Sequence, residues 1–201
     1  MRLIGITGGV GAGKTEILDF IRRHYRCRIY LADEVAHLIQ QPGHACYDKI
    51  VALLGSGVLK EDGSIDRGKM AARIFVDNEL LKKVNAIVHP AVREYLEHAV
   101  EEARADKETE LFFIEAALLI ENGYRDYVDE MWYIYAPVGV RKERLRQSRS
   151  YSDEKTEQIM QSQLSEERFR QNCDFVINND ASLAEAYEQI KKRLEAYTWQ
   201  E

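Results

Sequence analysis

The chain has 201 residues, of which 45% are apolar and 31% charged, with only 3 Pro and 12 Gly. This composition is typical of one folded domain, with or without insertions, and excludes wholesale disorder, collagen-like repeats and a disulfide miniprotein. The formal net charge of −6 argues against a general nucleic-acid binder, whose affinity would depend on neutralising phosphates. We therefore expect no nucleic-acid partner.

The cysteines and the uncharged runs indicate the compartment. Three cysteines lie far apart without a CxxC pair: Cys27, Cys46 and Cys173. Such spacing is typical of buried thiols in a reducing compartment. Long uncharged runs such as 50–59 and 131–140 are far shorter than the roughly 20 residues that a bilayer needs. Glycines at 8–13 and then Lys14 interrupt the N-terminal apolar stretch, so we expect no signal peptide, no membrane segment and a cytoplasmic protein.

Five short runs rich in Ile, Val, Phe and Tyr indicate buried strands. The predicted strands are Arg2–Thr7, Arg28–Ala32, Leu111–Ala116, Met131–Ala136 and Asp174–Asn178. Apolar stripes at helical spacing lie between them, the clearest over 92–103 and 183–197. This alternation predicts an α/β fold, a three-layer sandwich with a mainly parallel five-stranded sheet.

The spacing of the strands predicts two excursions from this core. About eighty residues separate the second and third predicted strands, far more than one crossover needs. Helical patterns on both sides of the turn-rich Lys60–Ser64 predict a helical insertion over 36–102. The charged and polar segment 146–170 predicts a short mobile lid. The core then comprises 1–35, 103–145 and 171–201.

The segment Gly8–Thr15 matches the phosphate-loop pattern GxxxxGK[ST], after an apolar strand and before a helical pattern. Its glycines let backbone N–H groups turn inward around nucleotide phosphates, where the helix N-terminus adds positive potential. Lys14 is expected to reach the β and γ phosphates, and the Thr15 hydroxyl to ligate Mg²⁺. The predicted nucleotide ligands of the loop are Gly9, Gly11, Ala12, Gly13, Lys14, Thr15 and the backbone N–H of Glu16.

The loop alone does not choose the reaction, because GTPases, ATP-driven machines and small-molecule kinases all contain one. The sequence has no DxxG, no NKxD and no LSGGQ motif, so neither a GTPase nor an ABC-type ATPase is indicated. A phosphotransferase is favoured.

Two acidic residues lie at the ends of predicted strands. Asp33 follows the second strand, at the sheet edge where ligands of open α/β sheets collect. It is either a base that accepts a proton from an acceptor hydroxyl or the N-cap of the following helix. Glu115 ends the third strand, as an acid that holds Mg²⁺ through water or as a solvated strand end. Position alone leaves these alternatives open.

Arginines follow the fourth predicted strand. They are Arg141, Arg144, Arg146 and Arg149. Guanidinium groups suit the charge of a transferring phosphoryl group, although each one taken singly is better explained as a solvated helix residue than as a catalyst. We expect at least one of them to contact ATP.

An ordered set of motifs runs over nearly the whole chain: 4–14, 32–37, 63–67, 74–75, 87–92, 118–121, 144–149, Gln163 and 173–179. In these motifs the chain resembles the dephospho-CoA kinase family. Very many proteins share a phosphate loop, but the ordered set, with His89-Pro90 inside a helical insertion, is much more specific. The resemblance implies a P-loop NTPase fold that uses ATP and Mg²⁺ to phosphorylate the ribose 3′-hydroxyl of dephospho-CoA, giving CoA and ADP in the last step of coenzyme A biosynthesis.

The resemblance also implies roles for individual residues. Asp33 would be the catalytic base, assisted by Lys14 and Arg144, while Arg149 and Asn179 would contact ATP. The insertion would bind the acceptor through Asp33, Arg67, His89 and Arg93, although His89 is alternatively a helix-end residue next to its proline. A monomer is expected.

The sequence departs from the family's usual pattern at four positions: Glu16, Leu31, Ala117 and Ala181. None of these removes a group that the chemistry requires, but they leave room for weaker activity or a changed acceptor. Two alternatives therefore stay open: a P-loop nucleoside or nucleotide kinase, and a catalytically idle ATP-binding protein.

Overall fold

The computed structural model describes residues 1–149 and 152–197. Residues 150, 151 and 198–201, which the predicted lid and core include, lie outside the described residues. The chain divides into two compact units, the first formed by Met1–Ile29 and Asp106–Glu201 and the second by Tyr30–Ala105. The second unit begins earlier than the predicted boundary at residue 36, so that it includes Asp33.

A single parallel sheet organises the first unit. In the described residues its strands are β1 (Arg2–Thr7), β2 (Cys27–Leu31), β3 (Leu111–Glu115), β4 (Glu130–Tyr135) and β5 (Phe175–Asn178). Their order is β2-β3-β1-β4-β5. Strand β1 pairs in parallel with β3 and β4, and β4 pairs in parallel with β5. The predicted strands and the α/β fold are confirmed, each strand within one residue of its expected bounds.

Helices cover this sheet. Those of the first unit are α1 (Lys14–His24), α6 (Val138–Arg149), α7 (Asp153–Gln161), α8 (Glu166–Asn172) and α9 (Leu183–Glu195). Helix α1 packs on α9, and α8 packs on β4. Phe169 of α8 is buried and stacks on Tyr133 of β4 at 4.7 Å. Part of the segment predicted as a lid therefore contributes to the core.

The second unit is built around one long helix. Its helices are α2 (Ala32–Leu38), α3 (Tyr47–Leu54), α4 (Arg67–Phe75) and α5 (Asn78–Ala105), and the first three all pack on α5. The predicted turn at Lys60–Ser64 is present, closed by the Lys60 N–H donating to the Ser64 carbonyl at 2.8 Å.

Helix α5 continues through Pro90, so the two apolar patterns on either side of this proline belong to one helix. Its buried side chains are Val84, Val88, Val92, Leu96, Ala99, Val100 and Ala103. Pro90 and Ala86 are both exposed, so water can replace the amide donor that proline denies to the Ala86 carbonyl. Among the described helices, none is long and apolar enough to cross a membrane.

Candidate active site

The phosphate loop joins β1 to α1, and Gly13 makes the turn between them. Gly13 has φ 89° and ψ 31°, the left-handed region that glycine adopts without a Cβ clash. Helix α1 then begins at Lys14. Because glycine has no capping side chain, the N–H groups of the first helical turn remain donors for an anion. Thr15 and Glu16 are exposed in this turn.

Lys14 and Glu115 lie together beside the loop. The Lys14 ammonium donates to the Gly8 carbonyl at 2.8 Å and lies 3.6 Å from the Glu115 carboxylate. Both side chains are largely buried, at 17% and 12% exposed, so solvent screens this attraction less than at a surface. The alternative of a solvated strand end is therefore wrong for Glu115.

The chemistry of two side chains here fits Mg²⁺. The Thr15 hydroxyl and the Glu115 carboxylate are hard oxygen ligands, and Mg²⁺ in phosphoryl-transfer sites typically takes one or two protein ligands together with substrate phosphates and water. In the described residues, no cluster of three or more His, Cys, Asp or Glu forms a metal site, so the chain offers oxygen donors rather than an all-protein cage.

The phosphate loop is held at the Ala12 carbonyl by hydrogen bonds from Arg144 and Asn179. The Asn179 amide donates to the Ala12 carbonyl at 2.8 Å, and the Arg144 guanidinium donates to the carbonyls of Ala12 and Asn179 at 3.4 and 2.9 Å. Asn179 is 1% exposed. In this arrangement both side chains hold the loop backbone, and their direct contacts with ATP stay predictions.

The other arginines of the cluster differ in their surroundings. Arg146 is exposed and pairs with Glu143 at 2.9 Å, which fits a solvated helix residue. The side chain of Arg149 lies outside the part of the chain that the structure describes. Arg141 is half-buried and donates through Nε to the Val10 carbonyl at 2.9 Å. The sequence placed Arg141 in the cluster without singling it out, because only the fold brings it to the loop.

Asp33 lies in the second unit, as the exposed second residue of α2. The N-cap position of this helix is Leu31, without a side-chain cap. The alternative of an N-cap is therefore wrong for Asp33, whose carboxylate does not cap this helix.

His37 lies one helical turn after Asp33 and shares its surroundings. Burial and the positive charge of Arg67 lower the pKa of His37 below 6.5, against the opposing charges of Asp33 and Glu34. Arg67 is the first residue of α4, so packing within this unit brings the predicted acceptor residues Asp33 and Arg67 to the same imidazole. Sequence reasoning did not single out His37 as a site residue, although its spacing of four residues from Asp33 places both on one face of a helix.

His89 and Arg93 lie on α5, four residues apart and hence on one face of the helix. His89 is exposed, while Arg93 donates to the Glu97 carboxylate at 2.5 Å. Because α5 continues on both sides of it, the alternative of a helix-end residue is wrong for His89.

A parallel α/β sheet with a phosphate loop after β1, a paired Lys14 and Glu115, and helices inserted after β2 defines the class of P-loop small-molecule kinases. Comparison with known proteins narrows this class. The model of the dephospho-CoA kinase family matches residues 2–185. The chain belongs to the dephospho-CoA kinase family.

Individual relatives agree over almost the entire length. The chain is 36% identical to a dephospho-CoA kinase of Aquifex aeolicus over 199 residues, covering 98% of both chains. A crystal structure of a Thermus thermophilus protein superposes with a TM-score of 0.82 and 28% identity, covering 98% of both chains. The dephospho-CoA kinase of Campylobacter jejuni shares the fold with a TM-score of 0.71 and 24% identity, over 96% of this chain and 95% of that one.

Proposed function

We propose that the chain transfers the γ phosphate of ATP to the 3′-hydroxyl of the ribose of dephospho-CoA, giving CoA and ADP. Family membership over residues 2–185 is the observation that carries this function. The phosphate loop, with Lys14 and Glu115 3.6 Å apart beside it, supports it independently. The chain is thus an ATP-dependent kinase of the last step of coenzyme A biosynthesis.

The first unit would bind ATP. The backbone N–H groups of Gly9 and of Gly11–Glu16 would surround the phosphates, and Lys14 would exchange the Gly8 carbonyl for the β and γ phosphate oxygens. Thr15, and Glu115 through water, would hold Mg²⁺, which when bound neutralises phosphate charge. Arg144 would offset charge on the transferring group, with Arg149 and Asn179 completing the ATP site.

The second unit would bind the acceptor. The Asp33 carboxylate takes the proton of the ribose 3′-hydroxyl while the oxygen attacks the γ phosphorus and the bond to ADP breaks. Dephospho-CoA would be contacted by Arg67, His89 and Arg93. The guanidinium groups of the two arginines suit its phosphate oxygens. We assign acceptor binding to the helical insertion, 36–102, and closure over ATP to the 146–170 lid, apart from its core-packed residues in α8.

The thiols and the net charge support a proposal about the compartment and the partners of the enzyme. Cys27, Cys46 and Cys173 are free, which supports a reducing, cytoplasmic environment. We propose a monomer that acts on a small molecule and, given its net charge of −6, has no nucleic-acid partner.

The test is ADP release with MgATP in the presence of dephospho-CoA, adenosine, AMP or common nucleosides. Selective turnover of dephospho-CoA, with product phosphorylated at the 3′ position, is expected. Turnover of a nucleoside instead would identify a nucleoside kinase, and ATP binding without transfer to any acceptor would identify an idle nucleotide-binding protein. Either result overturns the proposal.

Asp33→Asn tests the base. It should lower kcat by about 10²–10⁴, the usual contribution of a general base, and leave ATP affinity unchanged. The matched control is Asp48→Asn, because Asp48 is an exposed carboxylate of the same unit. Equal kcat in the two variants would refute the role of Asp33.

A further inference from the structure

Two side chains hold the backbone of Val10 at the tip of the phosphate loop. The Val10 N–H donates to Oε1 of Gln163 at 3.0 Å, and the Val10 carbonyl accepts from Nε of Arg141 at 2.9 Å. The Arg141 guanidinium also donates to the same Gln163 oxygen at 3.2 Å. These three hydrogen bonds form a closed ring, which we call the Val10 latch.

The latch joins parts of the first unit that are distant in sequence. Gln163 lies between α7 and α8, in the segment predicted as a lid, and Arg141 lies in α6. The guanidinium packs directly against the loop, because a Cβ added to Gly9 would lie 2.5 Å from its central carbon. A glycine at position 9 is therefore needed for the close approach of Arg141 as well as for wrapping phosphates.

Holding Val10 fixes the direction of the N–H groups that follow. All of the predicted phosphate donors except Gly9 follow Val10, from Gly11 into α1. A loop whose tip is already anchored loses less conformational entropy when a nucleotide binds. Burial lowers the pKa of the Arg141 guanidinium below its usual value. A partly desolvated guanidinium depends on its remaining acceptors, so the hydrogen bonds of the ring matter more than they would at the surface.

We propose that Gln163 and Arg141 are positioning residues that preorganise the phosphate loop for ATP by holding both backbone groups of Val10. Neither contacts the reacting atoms, and each acts through the loop. The proposal rests on the proposed function only in naming ATP as the ligand, because its central measurements need no acceptor.

Amide hydrogen exchange of the free protein tests the contact itself. Gln163→Leu removes the acceptor of the Val10 N–H and should speed its exchange by about tenfold or more, while amides of β1 stay protected. Gln163→Glu keeps an acceptor oxygen and should preserve the protection. Gln161→Leu, at an exposed position at the end of α7, is the matched control. Unchanged Val10 exchange in Gln163→Leu would overturn the latch.

Nucleotide binding tests the consequence. Gln163→Leu should weaken MgADP binding in titration calorimetry, and raise the KM for ATP, by about tenfold, which corresponds to losing one to two hydrogen bonds. The KM for the acceptor should be unchanged, and the melting temperature should fall by no more than a few degrees, at about 2–4 °C per kcal/mol. Gln163→Glu should restore wild-type affinity. A general structural defect would instead raise both KM values and lower the melting temperature further, and would overturn the positioning role.

A double-mutant cycle connects the two residues. Arg141→Met keeps the aliphatic stem but removes the guanidinium, and should itself weaken MgADP binding. The double variant with Gln163→Leu should lose less binding free energy than the sum of the two single losses, because either change alone opens the ring. Full additivity would show that the residues act separately. A wild type that binds ADP but does not turn over dephospho-CoA would contradict the proposed function and leave these results interpretable.

Discussion

Gly13→Ala should damage the loop far more than an equivalent glycine substitution elsewhere in the same unit. Gly13 and Gly123 both precede a helical turn in the left-handed region, at φ 89°, ψ 31° and φ 73°, ψ 24°. A Cβ at Gly123 would meet open space, whereas one at Gly13 would overlap the Asn179 amide nitrogen. The two positions thus share backbone strain and differ in sterics.

The magnitude follows from these contacts. A non-glycine residue in the left-handed region costs about 1–2 kcal/mol, and both variants have this cost. At Gly13 the Asn179 amide must also leave the Ala12 carbonyl, to which it donates at 2.8 Å. Asn179 is 1% exposed, so water cannot easily replace this partner, and the loss adds about 1–3 kcal/mol. We expect about 2–5 kcal/mol for Gly13→Ala against about 1–2 kcal/mol for Gly123→Ala.

Thermal and urea unfolding of both variants measure this difference. At about 2–4 °C per kcal/mol for a chain of this size, Gly13→Ala should melt several degrees below Gly123→Ala. It should also weaken MgADP binding, since Gly13 directs the amides of the first turn of α1. In an Asn179→Ala background the overlap is absent, so Gly13→Ala should cost no more than Gly123→Ala. Equal losses for the two alanine variants in the wild-type background would refute the steric argument.

Two further predictions concern titrating groups. The imidazole of His37 should titrate below pH 6.5 in NMR spectra, and Arg67→Gln should move its midpoint upward because the nearby positive charge is removed. In the unfolded chain His37 binds its proton at a higher pH than in the folded chain. The contribution of His37 therefore lowers the free energy of unfolding as the pH falls below 6.5. A titration midpoint above 6.5 in the wild type would contradict this prediction. Burial, followed by the charge of Asp174, raises the pKa of Cys173 to about 12. Alkylation of this thiol by iodoacetamide at pH 8.5 should therefore be at least about a hundredfold slower in the native than in the urea-unfolded protein. Peptide mass spectrometry measures the two rates. Comparable rates would show an accessible thiolate.

Signals that are local in the chain made much of the fold predictable. Each strand is a short run of apolar and aromatic residues bounded by turns, and such a run indicates a buried strand without knowledge of its neighbours. The phosphate loop is equally local, because the eight residues Gly8–Thr15 contain both its turn and its first helical residues. For Asp33, the structure removed the N-cap alternative, because α2 begins at Ala32, two residues before the start that an Asp33 N-cap would give.

Other features depend on packing between distant segments, so the sequence did not reveal them. The apolar patterns on either side of Pro90 become one helix because α2, α3 and α4 pack on it, and burial of its apolar face outweighs the hydrogen bond lost at proline. Phe169, in a charged segment, enters the core because Tyr133 offers it a ring to stack on.

The sequence by itself determined the strands, the phosphate loop and the acidic residues at the strand ends, because each is encoded within a few consecutive residues. The tertiary structure alone decided what holds that loop. Gln163 contacts Val10 across 153 positions of the chain, and Asn179 contacts Ala12 across 167. Hydrogen bonds of this kind leave no periodicity or spacing in the sequence, since they form only where packing of the sheet and its helices brings the two segments together.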